Sequence, residues 1–218
     1  DFTSLFTEKD KIFTKLWERY QLDSLYGRWD YVEPAIFGYA AGMLIESFSE
    51  YYLENKNVVA HFHEWMTGSG VLYLNENTPQ IGTAFTTHAT VIGRSIAGNG
   101  LPLYDNLETY DATILASRFQ VKSKHSLEKL SAINSDAFTT VSSITARECQ
   151  QFFGKKPDVI TINGFEEKFV PQGDDFEKKR KLARTKALEI ASKISGKNYD
   201  DDALLVINSG RYEFRNKG

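Results

Sequence analysis

Short apolar runs typical of β-strands alternate with helix-like stretches along most of this chain. Three such runs, 58–62, 81–86 and 137–141, are rich in β-branched and aromatic residues, and each is followed by a stretch with helical spacing. Parallel strands require crossover connections of this kind, which are usually helical. The order therefore predicts an α/β fold in which a parallel sheet is flanked by helices.

The remaining helices, strand and loop are predicted from the spacing of apolar residues and from residues that favour turns. The apolar spacing predicts helices at 6–20, 34–53, 64–74, 89–97, 113–133, 144–153 and 174–195. Residues 156–164 read as a strand followed by a turn, because Asn163-Gly164 favours a tight backbone reversal. Residues 98–111 form a long loop of the kind that often covers a ligand.

Composition narrows the class of protein. The chain has 218 residues, 41% of them apolar, and a net charge of -3, which gives no general attraction to nucleic acid or anionic lipid. No apolar run is long enough to span a membrane. The single Cys149 cannot form an internal disulfide, which fits a reducing cytoplasm.

Basic and imidazole side chains follow two of the predicted strands. His88 and Arg94 come after the strand at 81–86, while Arg211 and Lys217 follow an apolar run at 203–207. In an open α/β sheet, ligands bind at the carboxyl ends of the strands. Arginine offers forked, permanently charged donors that suit phosphate. We therefore expect these two loops to face one anionic ligand across a cleft.

Each of these residues also has a simpler interpretation. A lone histidine at a strand end is more often a satisfied structural group than a catalytic one, and Arg94 could be an ordinary residue on a helix surface. The stretch His61-Phe62-His63-Glu64 invites a metal interpretation, but a zinc-protease helix would need histidine where Thr67 stands. The glycine spacing of nucleotide-binding P-loops and of dinucleotide folds is absent.

Five blocks of the chain resemble, in the same order, the glycogen synthases of the fungal and animal type and their bacterial relatives. The resemblance runs from about residue 28 onward and is carried by Val59–Gly68, Ala84–Arg94, Ala137–Ala146, Lys155–Gly164 and Ser209–Gly218. Agreement in five ordered blocks is far more specific than any single motif.

The resemblance implies part of a GT-B glycosyltransferase, in which two Rossmann-like domains hold a nucleotide sugar between them. It implies a partial N-terminal domain at 1–172, a helix and linker at 173–202, and the first strand and loop of the C-terminal domain at 203–218. The implied reaction transfers glucose from UDP-glucose or ADP-glucose to the 4-hydroxyl of glycogen or another α-1,4-glucan, with retention at the anomeric carbon. It implies no cofactor and no essential metal.

The resemblance also suggests roles for individual residues. His88 matches the histidine near the donor glucose, and Arg94 matches the arginine that faces the pyrophosphate. Arg211 and Lys217 match the pair that binds the donor phosphates from the second domain. Glu64 and Asn163 fall in matched blocks that line the cleft.

The chain also departs from the family pattern. The first strand with its glycine-rich loop, the acidic loop beside the sugar and the arginine-rich regulatory helix have no counterparts in it, and 128–134 replaces a pattern bearing arginine and histidine. We therefore expect the isolated chain to be inactive although its parent enzyme is active. Another GT-B glucosyltransferase and a non-catalytic glucan-binding module remain alternatives. The donor base, the regulation and the formation of a homo-oligomer stay open.

Overall fold

The protein is described by a computed structural model that covers residues 2–207 and 210. It divides into two compact units, Asp1–Ile162 and Asn163–Gly218. The first unit is built on a sheet of four parallel strands in the order β1 (Val59–His63), β2 (Gly82–Thr87), β3 (Ala137–Thr140) and β4 (Val159–Ile160). The predicted α/β fold with a parallel sheet is confirmed.

Helices connect the strands and pack beside them. They are α1 (Lys9–Tyr20), α2 (Trp29–Tyr52), α3 (Ser69–Asn77), α4 (Val91–Gly98), α5 (Ala112–Arg118), α6 (Lys122–Asn134), α7 (Ser143–Phe153) and, in the second unit, α8 (Gly173–Ser195). Short 3-10 turns cover Thr3–Glu8, Trp65–Thr67, Leu107–Thr109 and Glu167–Phe169. None of the helices in the described part of the chain has both the length and the apolar run needed to cross a membrane.

The core of the first unit lies on the face of the sheet that carries Phe85 and Phe138. Both rings are fully buried and belong to one cluster with Leu72 of α3, Leu127 of α6 and Phe153 of α7. Burial of each such side chain contributes about 1.5–3 kcal/mol. This packing fixes the strand ends relative to the helices that follow them.

One predicted helix, 113–133, is wrong as a single element. The structure breaks it into α5 and α6 at Gln120, whose φ of 58° is left-handed and cannot continue a right-handed helix. The side chain of Gln120 is held by Arg28, whose Nη2 donates to Oε1 at 2.7 Å. Tertiary contact with a distant loop therefore overrides the helical periodicity.

The predicted start of the second helix is also corrected. We expected Pro34 near its first residue, but α2 begins at Trp29 and includes Pro34. Proline cannot donate to the carbonyl of Asp30, so the helix loses one hydrogen bond there. The turn before Pro34 is secured by Tyr31, which is 1% exposed and shares a 2.7 Å hydrogen bond with the hydroxyl of Ser24.

The helix predicted at 64–74 begins later than expected. Glu64 has φ 65° and ψ 159°, which no helix can accommodate, and α3 starts only at Ser69. In the second unit, α8 agrees with the predicted helix at 174–195. The strand predicted at 203–207 is not formed, because those residues have no regular secondary structure and no neighbouring strand among the described residues.

Candidate active site at the carboxyl edge of the sheet

His88 lies in the turn that joins the end of β2 to the start of α4. Thr90 caps α4: its Oγ1 accepts a hydrogen bond from the main-chain N–H of Gly93 at 2.9 Å. His88 is half-buried, and Arg94 projects from the first turn of α4 with its side chain 55% exposed. The predicted position of both residues at the carboxyl edge of the sheet is therefore confirmed.

Glu64 links these two residues. It follows β1 directly, and its main-chain N–H donates to the carbonyl of Thr86 on β2 at 2.8 Å. Its Oε1 accepts from the main-chain N–H of His88 at 3.1 Å and lies 3.7 Å from Nη2 of Arg94. The carboxylate is only 17% exposed, whereas the guanidinium that it contacts faces solvent. Glu64 thus holds the His88 turn in place and contacts the solvent-facing guanidinium of Arg94.

The backbone of Glu64 is strained. Its dihedral angles, φ 65° and ψ 159°, lie in a region that is essentially reserved for glycine and costs about 1–3 kcal/mol for other residues. Such strain persists only where surrounding contacts hold it, and it is frequent at functional sites. The sequence could not reveal this strain, because no local pattern predicts a glutamate with a positive φ.

Three histidines meet beside the turn. Nδ1 of His63 and Nε2 of His88 are 3.1 Å apart, and the rings of His61 and His63 are 4.2 Å apart at their centroids. Nε2 of His61 lies 2.7 Å from the hydroxyl of Thr86. Desolvation, followed by the charges of His61 and His88, lowers the pKa of His63. One ring of the His63–His88 pair must therefore donate while the other, uncharged, accepts.

Beneath the turn lies a fully buried carboxyl group, that of Glu128 on α6. Its Oε2 accepts from the main-chain N–H of Val91 at 2.9 Å, and its Oε1 accepts from the hydroxyl of Thr87 at 3.1 Å. Burial raises the pKa of Glu128 to about 8, so the group carries a proton at neutral pH. Sequence reasoning missed this residue as a contributor to the site.

A second buried carboxyl group, that of Glu148 on α7, supports the cap of α4. Its Oε2 accepts from the hydroxyl of Thr90 at 2.6 Å, and its Oε1 accepts from Tyr104 at 2.9 Å. The contact with Glu148 helps raise the pKa of Tyr104 to about 12, after the larger effect of burial. Because Thr90 and Glu128 already accept from main-chain groups of the first turn, any anion at this edge would rely chiefly on side chains such as Arg94.

The remaining predicted site residues are Asn163, Arg211 and Lys217. Asn163 is the exposed first residue of the second unit. Arg211 and Lys217 lie outside the described residues. Within 2–207 and 210, no three histidine, cysteine, aspartate or glutamate side chains are arranged to hold a metal ion.

Comparison with known proteins assigns this arrangement to a family. The family model described as glycogen synthase matches residues 1–218. The chain belongs to the glycogen synthase family. Its parallel sheet with flanking helices is consistent with part of a GT-B glycosyltransferase.

Alignments with curated members of the glycogen synthase family show what share of their length this chain spans. The chain is 35% identical over 190 residues to a glycogen [starch] synthase of Dictyostelium discoideum, an alignment that covers 85% of this chain and 22% of the relative. It is 34% identical to the enzyme of that name from Caenorhabditis elegans, covering 85% of this chain and 28% of the relative. For the human liver form the identity is 30%, with 93% and 29% covered. The chain thus spans 22% to 29% of the length of these relatives.

Proposed function

We propose that the complete protein containing this chain is a glycogen synthase. It transfers glucose from UDP-glucose or ADP-glucose to the 4-hydroxyl end of an α-1,4-glucan, with retention at the anomeric carbon. Membership of the family supports the reaction class. The observation that carries the proposal is the contact of Glu64 with both the His88 turn and Arg94 at the carboxyl edge of the sheet.

Arg94 is proposed to bind the diphosphate of the donor. Its exposed guanidinium keeps its charge at any physiological pH, and Glu64 lies against only one of its nitrogens, Nη2, so further donors remain for phosphate oxygens. As the bond between glucose and phosphate breaks, negative charge grows on the leaving diphosphate. A fixed cation stabilises that charge more than it stabilises the ground state, which lowers the barrier.

His88 is proposed to face the donor glucose. Its Nε2 is already close to Nδ1 of His63, and its main chain is held by Glu64, so the ring has a defined orientation. A ring held in this way supports the proposal that His88 positions a sugar hydroxyl. Asn163 is proposed to line the cleft, and Arg211 and Lys217 are proposed to bind the donor phosphates from a second domain that closes over them.

The proposed setting is the cytoplasm, a reducing compartment in which an unpaired buried thiol such as Cys149 stays reduced. The experiment that tests the function measures incorporation of labelled glucose into glycogen by the complete protein, with UDP-glucose and ADP-glucose supplied separately. We expect incorporation with at least one donor. A folded complete protein that incorporates glucose from neither would refute the proposal.

A further inference from the structure

The loop at 98–111 is attached to α7 at two points. Tyr104 donates from its hydroxyl to Oε1 of Glu148 at 2.9 Å, and the main-chain carbonyl of Tyr110 accepts from Nε2 of Gln151 at 2.9 Å. Glu148 and Gln151 are three residues apart, so they lie on one face of the helix. The loop is therefore held by the same face of α7 that carries Glu148.

The carboxyl group of Glu148 also holds the start of α4. Its Oε2 accepts from the hydroxyl of Thr90 at 2.6 Å, and that hydroxyl in turn accepts from the main-chain N–H of Gly93 at 2.9 Å. The carbonyl of Thr90 accepts from the main-chain N–H of Arg94 at 2.9 Å. Thr90 thus contacts the main chain of both Gly93 and Arg94, and the bond to Glu148 fixes the orientation of its side chain.

Gly93 leaves room for this carboxyl group. A Cβ atom at this position would lie 2.1 Å from Oε2 of Glu148 and 2.6 Å from Oγ1 of Thr90, both much closer than non-bonded atoms can approach. Both side chains are buried and hydrogen-bonded, so neither can move aside without breaking the cap of α4. The carboxyl group therefore packs directly against the turn that carries Arg94.

We propose that Glu148 is a positioning residue for Arg94, the cation proposed to bind the donor diphosphate. This inference rests on the proposed function, because Glu148 acts on the reaction only through Arg94. Tyr104 of the loop holds one oxygen of the carboxyl group, which directs the other toward Thr90. A buried network with fixed partners is rigid. Rigidity matters here because a misplacement of about 1 Å can lower a rate about a hundredfold.

Initial rates of glucose incorporation by the complete protein test this role. Glu148→Leu keeps a side chain of similar size but removes both acceptors, so we expect kcat to fall about tenfold. Glu148→Gln should stay within about threefold of the parent protein, since its amide can accept from Thr90 and donate to the hydroxyl of Tyr104. The rate of the parent protein tests the proposed function, whereas the ratio of each variant to its own background tests Glu148.

The Arg94→Ala background separates positioning from damage to the fold. Because Glu148 acts through Arg94, Glu148→Leu should change the remaining rate by less than about twofold in that background. A loss of folded protein would instead lower the rate by the same factor in both backgrounds. Equal losses would overturn the proposal, as would a Glu148→Gln protein that is as impaired as Glu148→Leu.

A second variant leaves the buried residues unchanged. Tyr104 is exposed, and Tyr104→Phe removes only the hydroxyl that holds Glu148. We expect kcat to fall about threefold in the parent protein and no further decrease in the Glu148→Leu protein. The matched control, Tyr110→Phe, removes a hydroxyl that donates to the carbonyl of Pro102 in the same loop, and its kcat should be unchanged. A Tyr104→Phe protein as active as this control would overturn the proposed link between the loop and Arg94.

Discussion

The carboxylate of Glu64 accepts a hydrogen bond from the main-chain N–H of His88 at 3.1 Å, which ties the end of β1 to the turn after β2. In making this contact, Glu64 adopts a backbone conformation that is energetically unfavourable for any residue other than glycine. The same carboxylate lies 3.7 Å from the guanidinium of Arg94. One strained residue thus positions both groups to which we assign roles in donor binding.

The strain at Glu64 predicts an unusual order of stabilities. Glu64→Ala and Glu64→Gly both remove the carboxylate, but only glycine relaxes at φ 65°. We expect the glycine variant to be more stable than the alanine variant by about 1 kcal/mol, measured by urea unfolding of the complete protein. Equal stability of the two would show that the backbone is not strained. Both variants should lose glucosyl transfer, because Arg94 and the His88 turn lose their shared anchor.

The contact between His63 and His88 predicts a loss of activity in acid. The lowered pKa of His63 keeps its ring neutral at pH 7, and the pair can share a hydrogen bond only while one ring is neutral. Once the pH falls below this lowered pKa, His63 gains a proton, so its Nδ1 can only donate and the contact with His88 is altered. The initial rate should therefore fall on the acid side.

His63→Gln provides the control for this acid loss, because glutamine offers a hydrogen-bonding group that does not titrate. We expect the variant to retain measurable activity, with the acid limb of its pH–rate profile shifted to lower pH. A profile identical to that of the parent protein would show that His63 does not govern the orientation of His88.

The buried carboxyl of Glu128 predicts how stability changes with pH. Its pKa is about 8 in the folded protein, against a reference value of 4.5, so the folded state holds a proton that the unfolded state has released between these values. The free energy of unfolding should therefore decrease as the pH rises from about 4.5 to about 8, and this contribution should not change further above that range. Chemical denaturation across this range measures the slope.

Glu128→Gln is the matched variant, since an amide of the same shape can still accept from the N–H of Val91 and donate to Thr87. We expect it to fold and to lose most of this pH dependence, so that it becomes more stable than the parent protein at pH 8. If the parent and variant show the same slope, Glu128 is ionised in the folded protein.

Much of the secondary structure could be predicted from the sequence. The β-branched runs placed β1, β2 and β3 within one residue, because buried parallel strands have a strong apolar signature. Because His88 and Arg94 follow a predicted strand, their location at the carboxyl ends of the strands was predicted correctly. The break at Gln120 was not accessible, since it depends on a contact with Arg28, 92 residues away.

The support beneath the site was also hidden from sequence reasoning. Glu128 lies on the buried side of α6 with Leu127 and Ala132, and an acidic residue on the buried side of a helix is the one available signal. Its meaning depends on which main-chain groups lie opposite, here the N–H of Val91, and only the packing of α6 against α4 decides that. The same holds for Glu148 and the hydroxyl of Thr90.

The proposed transfer reaction depends most on Arg94 as the cation that stabilises the leaving diphosphate. Initial rates of glucose incorporation into glycogen by the complete protein should be compared for Arg94→Ala and for Arg118→Ala, a control that removes another exposed arginine, from α5. We predict that Arg94→Ala lowers kcat about a hundredfold or more while the fold is retained, and that the control stays within about twofold of the parent. An Arg94→Ala protein as active as the control would contradict the proposed role of Arg94.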